Sequence, residues 1–194
     1  MVKPENQWSQ INESLFKKLR HFKPPLFIKP PIAENLLCSN IFEEKEDYIK
    51  DWSLKRLIYK DDEDMIKTDC ESIKRRNYFP EFPNSKEEAE FPIAFNRLVY
   101  KDYLFLEMEL AAEYAPQNYY CFVVDSKATV LFKKRIKNLS NCFPNVYVSE
   151  NMYNTTSTGN YVNIAYWDCL NILSSYTWNY VVILNIRRVI FILT

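Results

Sequence analysis

EFPIAFNRLVYKDYLFLEMELAAEYAPQNYYCFVVDSK, residues 90–127, decides the fold class: it reads as strand, helix, strand. Pro92 opens an apolar run of Ile93, Ala94 and Phe95, continued by Leu98, Val99 and Tyr100. Asp102 stands where a helix N-cap is expected. Behind it Tyr103, Leu106, Leu110 and Tyr114 recur at helical spacing, and Leu104, Met108 and Ala111 broaden the stripe. That stripe reads as core packed on a sheet rather than a cofactor box. Pro116 ends the helix. Residues 119–124 form a second apolar run, which stops on Asp125, Ser126 and Lys127. Ligands of open α/β sheets bind outside the carboxyl ends of the strands. Leu98, Val99 and Tyr100 are therefore expected beside Asp125, Ser126 and Lys127 at one pocket rim. For Asp125 and Ser126 the plainer alternative is a helix cap alone.

The pattern repeats downstream. Ser126 can cap a helix running to about 138, with Ala128, Leu131, Phe132 and Ile136 apolar. Lys133, Lys134, Arg135 and Lys137 give it a basic edge, either solvated or helping to hold an anion. Residues 142–149 predict a third strand and 150–160 a polar loop. Residues 161–176 predict a helix with Ile164, Ala165, Trp167, Cys169, Leu170 and Leu173 mostly inward, and 178–184 a fourth strand. Alternating strands and helices imply right-handed crossovers and a mainly parallel sheet. The pattern then stops after Leu184 with no helix to cover the last strand, an exposed apolar edge that points to a fragment of a larger domain.

The flanks carry less information. Residues 1–36, with KPP and FIKPP, read as an extended, poorly ordered arm. Residues 37–69 set Trp52, Leu54, Leu57 and Ile58 among dense charges, which predicts short surface helices. Asp61, Asp62 and Asp64 lack the EF-hand spacing and read as a solvated acidic face. Residues 70–78 suggest another short helix, and 80–86 a loop with two prolines. The expected division is an arm at 1–36, a helical and loop region at 37–89, an α/β half domain at 90–184 and a divergent apolar tail at 185–194.

Composition bounds the function. Apolar residues are 47% of 194, enough for a packed core. Lys plus Arg and Asp plus Glu are 25 each, and this neutrality argues against a nucleic-acid surface. Gly159 is the only glycine, so neither a G-x-G-x-x-G dinucleotide site nor a P-loop can be written. No apolar run reaches the ~18 residues of a membrane span. The five cysteines contain no C-x-x-C, and His21 is the only histidine, so a zinc site is not expected. Sequons begin at Asn12, Asn138 and Asn154; with the cysteines they lean toward a secretory-pathway protein.

At SKEEAEFPIAF (85–95), PQNYYCFVVDSK (116–127), CFPNVYVS (142–149), AYWDCL (165–170) and WNYVVIL (178–184) the chain resembles the core 2/I-branching β-1,6-N-acetylglucosaminyltransferases, glycosyltransferase family 14. NTTSTGNYVNIAYWDC (154–169) looks like the nematode branch. The resemblance covers about 37–184. It implies a GT-A-like nucleotide-sugar-binding half domain. It also implies a metal-independent, inverting Golgi enzyme that moves N-acetylglucosamine from UDP-GlcNAc to the 6-hydroxyl of O-glycan or polylactosamine acceptors. Donor contacts would fall on Leu98, Val99, Tyr100, Asp125, Ser126, Lys127 and Ser157. A carboxylate can accept from uracil or ribose, and a lysine can approach a phosphate. Cys70 would pair with Cys142 and Cys121 with Cys169, leaving Cys38 unpaired.

The sequence departs from the family after Leu184, where NIRRVIFILT follows. The family's general base, a Glu, lies in a second half that this sequence does not match, and no catalytic residue is assigned here. The expectation is a truncated, inactive branching enzyme, its membrane anchor absent. The alternative is a non-catalytic secretory-pathway protein that keeps a partial UDP-sugar pocket or serves an interaction role.

Overall fold

The computed structural model describes Trp8, Ala33 and residues 35–55, 66–185 and 188–192, the last stretch and Asn185 by backbone alone. Most of the expected arm, with Asn12 and His21, and the acidic group Asp61, Asp62 and Asp64 lie outside those residues. Trp8 is an exception in the arm. Its indole N–H donates to the Pro116 carbonyl at 3.2 Å, and its ring meets Phe82 edge-on at 6.0 Å.

Four short helices precede the sheet: α1 (Cys38–Phe42), α2 (Glu46–Ser53), α3 (Cys70–Arg76) and α4 (Lys86–Glu90). The first two bury no residue. Asp69 and Ser85 cap α3 and α4 with side-chain acceptors. Then follow β1 (Ile93–Val99), α5 (Tyr103–Glu113), β2 (Tyr119–Val124), α6 (Val130–Asn141), β3 (Val146–Val148), α7 (Val162–Leu173), β4 (Tyr180–Asn185) and β5 (Arg188–Ile192). The sheet order is β3-β2-β1-β4-β5. Its first four strands are parallel, and β5 runs antiparallel to β4.

Two apolar layers hold the sheet. On one face Val99, Tyr120, Phe122 and Val124 pack with Tyr103, Leu106 and Leu110 of α5 and Phe132, Ile136 and Leu139 of α6. On the other, Ala94, Leu98, Val123, Val181 and Ile183 pack with Ala165, Tyr166, Cys169 and Leu173 of α7. β2 is buried on both faces, hence its apolar sequence, while β1 buries Asn96 and Arg97 among its apolar residues. Two bridges cross these layers: Cys121–Cys169 joins β2 to α7, and Cys70–Cys142 joins the start of α3 to the end of α6. Cys38 is free and exposed. Glu107, fully buried on α5, accepts from Arg76 at 2.9 and 2.8 Å, Asn77 at 2.7 Å and Tyr103 at 2.6 Å, which ties α3 down.

Six sequence expectations need correction. Asp102 does not cap α5: its backbone is left-handed (φ 61°) and its side chain makes no cap bond. Ser126 does not cap α6; the helix starts later, and the Thr129 hydroxyl accepts the Phe132 N–H. The sheet does not stop at Leu184, because an antiparallel partner covers the edge of β4 in the register Val181↔Ile192 to Asn185↔Arg188. Ile164 and Trp167 face outward on α7, at 51% and 63% exposure, because Ala165, Tyr166 and Cys169 take the inward stripe. The expected loop holds over 80–85 and gives way to α4 at its last residue, Lys86, and β3 is only three residues long.

Candidate functional site

The chain runs from β1 outward to β2 and β3, then returns across β1 to β4. Strand order thus reverses beside β1, and such a reversal opens a crevice at the carboxyl ends of the strands. The tips of β1 and β2 meet there: Val99 lies opposite Val124, and the Asp125 N–H donates to the Val99 carbonyl at 2.9 Å. Leu98 and Val99 are buried at 5% and 1% exposure, so their side chains serve the core and their backbone shapes the rim. Tyr100 is half-buried, with the Lys101 ammonium 5.3 Å from its ring centroid.

Asp125 is 2% exposed and satisfied from within. Its Oδ1 accepts the Lys127 N–H at 2.8 Å. Its Oδ2 accepts the Thr155 N–H at 3.1 Å and also the Thr155 hydroxyl. It is therefore not a helix cap. Burial alone raises its pKa, but the Thr155 hydroxyl, the Lys127 and Thr155 amides and the Lys127 charge together hold it below the ordinary carboxylate value. Ser126 and Lys127 are exposed. The Ser126 N–H donates to the Tyr153 carbonyl at 3.0 Å, and its own carbonyl accepts the Lys133 ammonium at 2.9 Å. The Lys127 ammonium lies 3.5 Å from Asp125 Oδ2 and donates to the Thr155 carbonyl.

The loop after β3 thus straps the β2 tip, with a parallel bridge between Asp125 and Tyr153. A second carboxylate fixes its other side. Asp168 of α7 accepts the Tyr153 hydroxyl at 2.7 Å and that of Ser149 at 3.3 Å. The Tyr153 bond, foremost, keeps the Asp168 pKa low, against the opposing effect of desolvation. Ser157 is exposed on the following turn, between Thr156 and Thr158, whose hydroxyls lie 2.7 Å apart. Among the described residues no hydrogen bond ties Ser157 to Asp125 or Lys127. Gly159 completes that turn at φ +95°, a conformation only glycine adopts freely.

Sequence reading missed Tyr153, Thr155 and Asp168. None sits at a periodic position, and their role arises from contact between segments about 30 residues apart in the case of Thr155 and Asp125. The sequon asparagines differ in setting. Asn138 lies in α6 and donates to Thr68 Oγ1 at 2.9 Å, whereas Asn154 is exposed on the strap. Among the described residues no group of three or more His, Cys, Asp or Glu gathers, and no helix is long and apolar enough to cross a membrane.

The family model described as Core-2/I-Branching enzyme matches residues 93–190, from the first residue of β1 into β5. The chain belongs to the core-2/I-branching enzyme family. It is similar to the human beta-1,3-galactosyl-O-glycosyl-glycoprotein beta-1,6-N-acetylglucosaminyltransferase 3, with 34% identity over 134 residues, 65% of this chain and 31% of that protein. The Bos taurus enzyme of the same name is 36% identical over 133 residues, 64% of this chain and 30% of its own length. A bovine herpesvirus 4 enzyme is 44% identical over 87 residues, 45% of this chain and 20% of its own. The chain thus spans less than a third of the curated relatives it matches. The family match covers the β1 and β2 tips and the strap, so the site described above lies within the shared region.

Proposed function

We propose that this core-2/I-branching family chain binds UDP-GlcNAc at the β1 and β2 tips. There it serves the donor side of N-acetylglucosamine transfer, in β-1,6 linkage, to O-glycan or polylactosamine acceptors. The observation that carries this reading is the Asp125-Ser126-Lys127 turn, strapped by 153–155 at the strand reversal. It presents a hydroxyl and an ammonium on a rigid base. Ser126 and Lys127 offer polar and cationic contacts of the kind a nucleoside diphosphate takes, and half-buried Tyr100 follows the β1 tip. Buried Asp125 holds the turn in shape. Leu98 and Val99 contribute rim backbone, and Ser157 offers an exposed hydroxyl on the turn that follows the strap. In this reading Lys127 approaches a phosphate, no metal is required, and the remaining basic contacts to the diphosphate come from the family's second half. The two disulfides fit an oxidising lumen, which supports a Golgi setting, with membrane attachment through an anchor elsewhere.

A second reading, a donor-binding protein without turnover, is favoured by one observation. Asp125 and Asp168, the carboxylates on either side of the strap, are both hydrogen-bonded and held at low pKa. Neither suits the proton acceptor that an attacking hydroxyl requires. Calorimetry with UDP and a transfer assay with UDP-GlcNAc and a core 1 acceptor separate the readings. Binding near or below a Kd on the order of 1 mM supports the donor site. Transfer, unchanged by EDTA, supports the enzyme; binding without transfer supports the second reading. No binding sinks both.

A further inference from the structure

We propose that Asn154 is a modification site: it accepts an N-linked oligosaccharide, and Asn138 does not. The site is independent of the donor reading and needs only the secretory lumen that the two disulfides fit. Asn154-Thr155-Thr156 and Asn138-Leu139-Ser140 both carry the acceptor pattern, an asparagine followed two residues on by a hydroxyl. The fold treats the two very differently.

Asn154 is exposed on the strap, while both its neighbours are tied inward. The Tyr153 hydroxyl donates to Asp168 at 2.7 Å, and the Thr155 hydroxyl donates to buried Asp125. Side chains alternate in direction along a paired segment, and Tyr153 is bridged to Asp125, so the residue between them turns outward. Among the described residues the Asn154 amide makes no hydrogen bond. Thr156, which supplies the hydroxyl of the pattern, is exposed as well. It opens the turn in which the Gly159 N–H donates to its carbonyl at 3.0 Å. A glycan on Asn154 therefore displaces no contact of the fold.

Asn138 has no such freedom. It lies half-buried within α6, and its amide donates to the Thr68 hydroxyl at 2.9 Å, joining the helix to the segment before α3. Leu139 beside it is fully buried, and the Ser140 hydroxyl is spent on the Lys137 carbonyl at 2.9 Å. A sugar on the Asn138 nitrogen would stand against residues 66–68, so the folded chain keeps a bare asparagine there. The transfer itself is a substitution at the anomeric carbon of a lipid diphosphate-linked oligosaccharide, carried out by the lumenal transferase that reads this pattern. The Asn154 side-chain nitrogen bonds to that carbon as the carbon–oxygen bond to the diphosphate breaks. The nitrogen gives up one proton, and the lipid diphosphate departs.

The test expresses the 194-residue chain behind a cleavable leader in a secretory host. Its forms are the unchanged chain, Asn154→Gln, Thr156→Ala, Thr156→Ser and Asn138→Gln. The disulfide-bonded fraction is treated with peptide N-glycosidase in heavy-oxygen water, which leaves a labelled aspartate wherever a glycan stood. Mass spectrometry of the peptides then reads each site separately, Asn12 included. The expected result is label at Asn154 and none at Asn138. On gels, Asn154→Gln and Thr156→Ala each lose one glycosidase-sensitive step, Thr156→Ser keeps it, and Asn138→Gln changes nothing. Material retained in the cells is digested beside the secreted material, so poor export still gives a reading. An unlabelled Asn154 overturns the proposal, and a labelled Asn138 in the disulfide-bonded fraction overturns the choice between the two. Neither result bears on UDP binding, and a chain that binds no UDP leaves the glycan site standing.

Discussion

Three carboxylates with opposite titration behaviour are read at the scale of single residues. Asp125 and Asp168 are held below the ordinary value of 3.8. A depressed folded pKa gives stability that is full above the unfolded value and lost as pH falls through the folded one. Stability should therefore drop below about pH 4, and Asp125→Asn should flatten that drop. At neutral pH the asparagine amide would face the Lys127 and Thr155 donors, at a cost of about 1–3 kcal/mol in chemical denaturation.

Glu113 behaves the other way. Burial pushes it from 4.5 up to about 7, although Arg97 opposes the shift and Glu109 adds to it. The Arg97 guanidinium, itself 2% exposed, lies 2.7 Å from Glu109 and 2.5 Å from Glu113. A raised carboxyl pKa gives stability that is full below the unfolded value and lost as pH rises toward 7. Melting temperature should decline across that window in the unchanged chain. Glu113→Gln should remove the decline; an identical slope would contradict the assignment.

At the scale of elements, caps and bridges give the sharpest tests. Thr129 caps α6, so Thr129→Ala should cost about 1 kcal/mol, whereas Ser126→Ala should change stability by no more than about 0.5 kcal/mol. The reverse order would restore Ser126 as the cap. Gly159 has open space where a Cβ would stand, so Gly159→Ala meets only backbone strain, on the order of 1–2 kcal/mol, and should loosen the strap more than the core. Hydrogen exchange reads that difference. The Cys121–Cys169 loop spans 48 residues, and opening it in Cys121→Ser/Cys169→Ser should cost about 4 kcal/mol in the chain-entropy account.

These elements also show where the sequence was readable. Strands β2 and β4 stood out as nearly unbroken apolar runs, and β1 did so although the buried polar pair Asn96 and Arg97 interrupts it. Helix α4 did not stand out between the flanking Pro83 and Pro92, although Ser85 and Glu88 form a start signal. Asp102 and Ser126 looked like caps because a cap is chosen by backbone angles that a residue type only favours. The strap was hidden for a deeper reason. Thr155 and Tyr153 matter only once β2 and β3 lie side by side.

At the scale of the whole molecule, the strand order β3-β2-β1-β4-β5 is what brings the site together. Helices α5 and α6 pack on one face and α7 on the other, and the strand reversal beside β1 sets the β1 and β2 tips side by side at the carboxyl end of the sheet. β5 was not legible because its role depends on the free edge of β4, and the arginine pair at 187–188 divides the run. Two-dimensional NMR of the 15N-labelled chain, titrated with UDP, tests the central claim most directly. The account predicts saturable shifts confined to the amides of residues 98–101, 125–127 and 153–159. Shifts at the opposite ends of the strands, around Ile93, Tyr119 and Tyr180, or no saturable shift at millimolar UDP, would contradict it.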